Sequence, residues 1–183
     1  MYEVEVKVRA DHDDVRARLR ELDADHVASV EQVDTYYDAP HRDFAETDEA
    51  LRLRRETDDE TGETTTKVTY KGPLVDSESK TRREFETSVA DDEAMGGVFD
   101  GLGFEPAAVV EKDRDFYAVD GYTVTVDHVS GLGEFVEVER EADEAELDEA
   151  REGAFAVLHD LGLDPDEGIR TSYLGLLLAE DAP

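Results

Sequence analysis

Glu3, Glu5, Lys7 and Arg9 occupy alternate positions of the chain, interleaved with Tyr2, Val4, Val6 and Val8. In an extended strand successive side chains point to opposite faces, so two carboxylates and two cations stand in one row behind an apolar face. One such row describes any exposed strand. The arrangement recurs, however. Arg52 and Arg54 share a face opposite Leu51 and Leu53, and Lys67, Thr69 and Lys71 line up against Val68 and Tyr70. Further rows are Arg82 with Glu84 and Glu86, Lys112 with Arg114, Thr123 with Thr125 and Asp127, and Glu137 with Glu139.

Collected on one surface, Lys7, Arg9, Arg52, Arg54, Lys71, Arg82, Lys112 and Arg114 repel one another unless an anion relieves them. Guanidinium forks and ammonium points match the consecutive charged oxygens of a triphosphate. The carboxylates Glu3, Glu5, Asp127, Glu137 and Glu139 would repel that same anion unless cations intervene. An all-oxygen ligand set beside phosphate calls for hard divalent ions, Mg²⁺ or Mn²⁺.

Strands at Met1 to Arg9, Val27 to Tyr37, Ala50 to Thr57, Thr64 to Lys71, Lys80 to Val89, Ala107 to Val119, Tyr122 to Val129 and Glu134 to Glu141 are expected to carry these rows. Asp120-Gly121 is a hairpin signal between two of them. Helices are expected at Asp11 to Leu22, Asp91 to Leu102, Glu144 to Leu161 and Ile169 to Ala179. Turning the polar rows outward leaves the helices little to pack on, so the rows face inward. The expected architecture is α+β: one domain over residues 1–183, a closed eight-stranded antiparallel barrel whose polar lumen is wrapped by apolar faces and helices.

Composition bounds the function. With 50 Asp and Glu against 19 Lys and Arg, the net charge is −31. Such a surface repels nucleic acid and anionic membranes. The acidity suits a salt-rich cytoplasm, where a Debye length of about 3 Å at molar salt screens the self-repulsion. All five lysines fall in expected strands, whereas the segment from Glu141 to Glu167 holds eleven acidic residues and one Arg, Arg151. No cysteine is present, which excludes thiolate chemistry. With no signal-like segment and no long apolar run, the expected location is the cytoplasm, and a homodimer stays open. Among the aromatics, Tyr36 and Tyr37 suit strand packing as well as stacking on a base, and His128 points away from the Asp127 face. Gly131-Leu132-Gly133 lacks the Lys-Ser/Thr of a P-loop and reads as a tight hairpin.

The ordered series Glu3-x-Glu5-x-Lys7, Tyr36-Tyr37-Asp38, Leu51-Arg52-Leu53-Arg54, Tyr70-Lys71-Gly72-Pro73, Arg82-x-Glu84-x-Glu86, Lys112-x-Arg114, Asp127 and Gly131-Leu132-Gly133-x-Phe135-x-Glu137-x-Glu139 resembles the CYTH or triphosphate tunnel metalloenzyme family. The glycine-rich stretch and Ser172-Tyr173-Leu174 most resemble class IV adenylate cyclases and their archaeal relatives. The resemblance implies a closed tunnel, metal on the acidic residues, and catalytic roles for Glu5, Lys7 and Asp127. It also implies conversion of ATP to 3′,5′-cyclic AMP and pyrophosphate, with inorganic or thiamine triphosphatase activity as the alternative. A non-catalytic binder of polyphosphate or nucleotide is a third reading, and the full carboxylate set argues against it.

Overall fold

A computed structural model describes residues 1–180. The expected domain limit, residue 183, lies outside the described residues. Strands β1 (Tyr2–Arg9), β2 (Asp25–Asp38), β3 (Ala50–Asp58), β4 (Thr64–Lys71), β5 (Lys80–Val89), β6 (Glu105–Val119), β7 (Tyr122–Val129) and β8 (Gly133–Ala142) close into one barrel. Its order is β1-β5-β4-β3-β2-β6-β7-β8, and every neighbouring pair is antiparallel. The architecture is therefore the closed eight-stranded barrel with flanking helices that strand alternation leads one to expect. Closure removes the free edges that an open sheet would expose.

Register fixes which faces meet. Val4, Val6 and Val8 of β1 stand opposite Arg140, Val138 and Val136 of β8, while Glu5 stands opposite Glu139 and Lys7 opposite Glu137. The valine face points away from the lumen and takes helices. Helices α1 (His12–Glu21) and α4 (Leu147–Asp160) cover it with Val15, Leu19, Ala154, Val157 and Leu158, all buried. Asp11 starts α1 by accepting from the amides of Asp13 and Asp14. At Gly153 the helix approaches so closely that an added Cβ would overlap the Tyr122 ring, and Tyr122 donates to the Ala150 carbonyl at 3.1 Å.

The other side of the barrel has thinner cover. Helix α3 (Asp92–Gly101) packs Phe99 on Tyr37 and Leu53, and Phe85 of β5 stays 61% exposed. A one-turn helix, α2 (Phe44–Thr47), capped by Asp43, sits in the β2–β3 connection where the sequence pattern gave no helix. Helix α5 (Tyr173–Glu180) begins later than Ile169 because Ser172 accepts from the Gly175 amide and starts the first turn there. No helix among the described residues is long and apolar enough to cross a membrane.

Candidate active site

The inward rows enclose a cavity of about 630 Å³ through the barrel. β1 contributes Glu3, Glu5 and Lys7; β3 and β4 contribute Arg52, Arg54, Lys67 and Lys71. β5 adds Lys80, Arg82, Glu84 and Glu86, and β6 and β8 add Lys112, Arg114, Glu137 and Glu139. The size is that of a pocket for a whole small molecule.

Three carboxylates converge. Glu3, Glu5 and Glu139 each offer an oxygen, and these atoms lie within 4.8 Å of one another. Oε1 of Glu5 is buried without a hydrogen-bond partner, having only ammonium groups at 3.5 Å (Lys80) and 3.9 Å (Lys7). Burial and then the charge of Glu3 push the Glu139 carboxyl up to about 8, with Glu137 and Glu5 adding to the effect. Burial likewise raises Glu3, although Lys71 pulls against it with its Nζ 2.6 Å from Glu3 Oε2. Crowded carboxylates in a dry space, one with an orphaned oxygen, fit a hard divalent cation, which would remove the repulsion.

Asp127 and Glu137 are not brought into this cluster. Arg114 takes both oxygens of Asp127 at 2.6 and 2.5 Å and reaches Glu137 at 2.6 Å, while Tyr173 donates its hydroxyl to Asp127 at 2.7 Å. Asp127 is wholly buried and does not line the cavity. Its oxygens are taken by a guanidinium fork and a phenol, so Asp127 stands one layer behind the lumen, whereas Glu137 lines the cavity beside Arg114 and apart from the Glu3, Glu5 and Glu139 cluster.

Arg9 also departs from expectation. β1 ends there, its guanidinium leaves the lumen to lie over the Phe135 ring at 4.6 Å, and Nη1 donates to the Leu132 carbonyl. The residue is exposed and does not line the cavity. Parity continues to Arg9, but the tunnel wall does not.

Arg52, Arg54 and Lys112 are arranged around a carboxylate that alternation does not single out. Asp34 of β2, fully buried, receives Arg54 through Nε and Nη2 at 2.6 and 2.7 Å, with Lys112 at 3.5 Å and Arg52 at 3.9 Å. Although burial works against ionisation, Lys112, Arg54 and Arg52 hold the Asp34 carboxyl well below the usual range. The β2 pattern Val33-Asp34-Thr35-Tyr36 mixes polar and apolar residues on both faces, which hid it. Its inward neighbour Tyr36 lines the cavity, whereas Tyr37 packs on Phe99 outside. Lys80 is the second residue to join the site: it begins β5 and its ammonium faces Glu5.

Two buried lysines face carboxylates only at 3.5 Å or more, Lys112 with Asp34 and Lys7 with Glu137 and Glu5. Burial, then Arg114 and Arg54, lower Lys112 to about 7. Burial, then Lys80, lower Lys7 to about 8. Arg82 donates to the carbonyls of Asp48 and Gly72, and Nε of Arg52 is buried with no partner. Such a surface gains from an anion with several oxygens.

The segment before α5 lies across the Lys7 end of the lumen. The Ile169 amide donates to the Lys7 carbonyl at 2.7 Å, Lys7 Nζ donates to the Thr171 carbonyl at 3.1 Å, and Ser172 and Tyr173 line the cavity. Tyr173 is buried among Val110, Val129, Leu132 and Phe135.

Fold and site together define a barrel with a cation-lined, carboxylate-bearing tunnel. The family model described as the CYTH domain matches residues 1–173, and the chain belongs to that family. A Methanocaldococcus jannaschii protein provisionally named an adenylate cyclase is 40% identical over 178 residues, covering 96% of this chain and 98% of its own length. A Pyrococcus horikoshii protein of known structure superposes with a TM-score of 0.89 at 39% identity, over 97% of this chain and 99% of its own. A Hippeastrum protein, described as an adenylyl cyclase candidate with dominant triphosphatase activity, shares the fold at a TM-score of 0.66 and 17% identity, over 100% of this chain and 97% of its own.

Proposed function

We propose that the protein is an adenylate cyclase that converts ATP to 3′,5′-cyclic AMP and pyrophosphate. The observation that carries this reading is the order of groups along β1. Moving toward the end crossed by the segment before α5, Glu3 and Glu5 come first and Lys7 follows, beside Thr171 and Tyr173. A triphosphate that places its terminal phosphates among Lys7, Lys80 and Lys112 has its α-phosphate beside Glu3, Glu5 and Glu139, with Arg82, which stands opposite Glu3, at that same end. The γ-phosphate is then hemmed in by buried side chains, and the group nearest the carboxylates is the ribose. The name of the 40%-identical relative agrees with this choice.

In the reaction the 3′-oxygen bonds to the α-phosphorus as the bond to the bridging oxygen of the β-phosphate breaks, and the hydroxyl proton leaves to solvent. Glu3, Glu5 and Glu139 would hold Mg²⁺ or Mn²⁺, which would supply Lewis acidity toward the phosphate oxygens and the attacking hydroxyl. Lys7, Lys80, Arg52, Arg82 and Lys112 orient the chain of phosphates and take up the charge that develops on departing pyrophosphate. Arg54 keeps its place through Asp34, and Arg114 through Asp127. The test is product analysis with ATP and Mg²⁺ or Mn²⁺ in molar KCl. Cyclic AMP with pyrophosphate is expected, and ADP with orthophosphate would assign the protein to the triphosphatases instead.

A further inference from the structure

Tyr173 belongs to the far C-terminal part of the chain, yet two of the tunnel's cations meet it and a third is linked to it through Asp127. The Lys7 ammonium sits 4.2 Å from its ring centroid and the Lys112 ammonium 5.1 Å. Its hydroxyl donates at 2.7 Å to Asp127, which holds Arg114 by a two-point fork. The Phe135 ring packs edge-on at 5.0 Å and fixes the plane of the tyrosine. Both lysines are almost wholly buried, and ammonium groups in a dry space are mobile and costly unless something polar or polarisable faces them. The carboxylates that face these ammoniums stand at 3.5 Å or more, Asp34 at Lys112 and Glu137 and Glu5 at Lys7, so the ring, which neutralises neither, gives both a fixed direction.

We infer that Tyr173 is a positioning residue for triphosphate: its ring aims Lys7 and Lys112 into the lumen while its hydroxyl steadies Asp127 and, through it, Arg114. The inference rests on the triphosphate reading of the tunnel. It also explains why the segment before α5 is tied to β1 by the Ile169 to Lys7 and Lys7 to Thr171 bonds, which bring the ring to this spot.

The test is calorimetric titration of inorganic tripolyphosphate into wild-type protein and the variants Tyr173→Phe and Tyr173→Met, in molar KCl with Mg²⁺. Phe keeps the ring and loses the hydroxyl; Met fills the space with neither. Tripolyphosphate affinity is expected to fall about tenfold or more in Tyr173→Met, the equivalent of one desolvated cation–π contact, and only about threefold in Tyr173→Phe. For turnover of ATP, KM should rise in the Met variant and return near wild type in the Phe variant. Equal affinity in Met and wild type, or equal loss in both variants, overturns the ring's role. If Tyr173→Met does not fold, Tyr173→Leu takes its place, and a Leu variant that binds tripolyphosphate as tightly as Tyr173→Phe overturns the ring's role. A wild-type protein that does not bind tripolyphosphate sinks the triphosphate reading itself, whereas binding that is indifferent to Tyr173 sinks only this inference.

Discussion

Replacing Asp127 with Asn separates two roles for the same carboxylate. Asp127 is fully buried and receives Arg114 through two bonds of 2.6 and 2.5 Å and Tyr173 through one of 2.7 Å. Asn keeps the shape, but one of its two terminal groups becomes a donor and faces a donor. Removing one partner of a buried ion pair costs about 3–5 kcal/mol, because the other charge is left uncompensated. Glu137 stays 2.6 Å from Arg114 and bears part of the charge, so the low end applies, about 3 kcal/mol. For a chain of this size that corresponds to a fall in Tm of roughly 6–12 °C. The assay is thermal unfolding followed by circular dichroism in molar KCl, with and without Mg²⁺. The rise in Tm on adding Mg²⁺ should be the same in Asp127→Asn and wild type, because Glu3, Glu5 and Glu139 remain. A variant that melts at the wild-type temperature but no longer responds to Mg²⁺ would refute the reasoning and make Asp127 a metal ligand.

Three further outcomes follow from the same geometry. Glu139 ionises near 8 in the fold against an ordinary 4.5, so folded protein holds a proton that unfolded chain has released, and its contribution to stability is lost as pH rises between those values. Urea unfolding in EDTA should show that downward slope, Glu139→Gln should flatten it and also lose the Mg²⁺ response, and an unchanged slope would contradict the assignment. Lys112 and Lys7, lowered to about 7 and about 8, are partly neutral at pH 8, so the protein should take up on the order of one proton when tripolyphosphate binds. Titration heats should then differ between buffers of unequal ionisation enthalpy, and identical heats would count against it. Finally, the net charge of −31 should unfold the protein on dialysis from molar KCl to about 10 mM salt, where the Debye length grows to about 30 Å; an unchanged circular dichroism spectrum would show that salt is not required.

Much of the barrel was legible because period-2 alternation survives wherever one strand face is charged and the other is valine. β1, β7 and β8 are the clearest cases, with Val4, Val6, Val124, Val126, Val136 and Val138 all outward and buried under α1 and α4. Legibility failed where tertiary context decides. Strands β2 and β6 run longer than the pattern suggests and carry register shifts between His26 and Ala28 and between Tyr36 and Tyr37, which scramble parity. Asp34, the counter-ion of three cations, lies between those two shifts, where alternation does not mark it. Alternation says which face a side chain takes but not where the lumen ends, so it does not separate Arg9, outside the tunnel, from Lys7 within it. It also does not distinguish a carboxylate facing a cavity, such as Glu5, from one held by arginine behind it, such as Asp127. Ser172-Tyr173 stood out only by resemblance, since nothing local ties a C-terminal tyrosine to lysines at positions 7 and 112.

The cyclase reading requires the 3′-hydroxyl of the substrate as nucleophile, whereas hydrolysis at the γ-phosphorus does not. The most direct measurement therefore compares ATP with 3′-deoxy-ATP, following all phosphorus-containing products by ³¹P NMR in molar KCl with Mn²⁺. Turnover of ATP to cyclic AMP and pyrophosphate, with 3′-deoxy-ATP left intact, is the predicted result. Release of orthophosphate from 3′-deoxy-ATP at the rate seen with ATP would contradict it.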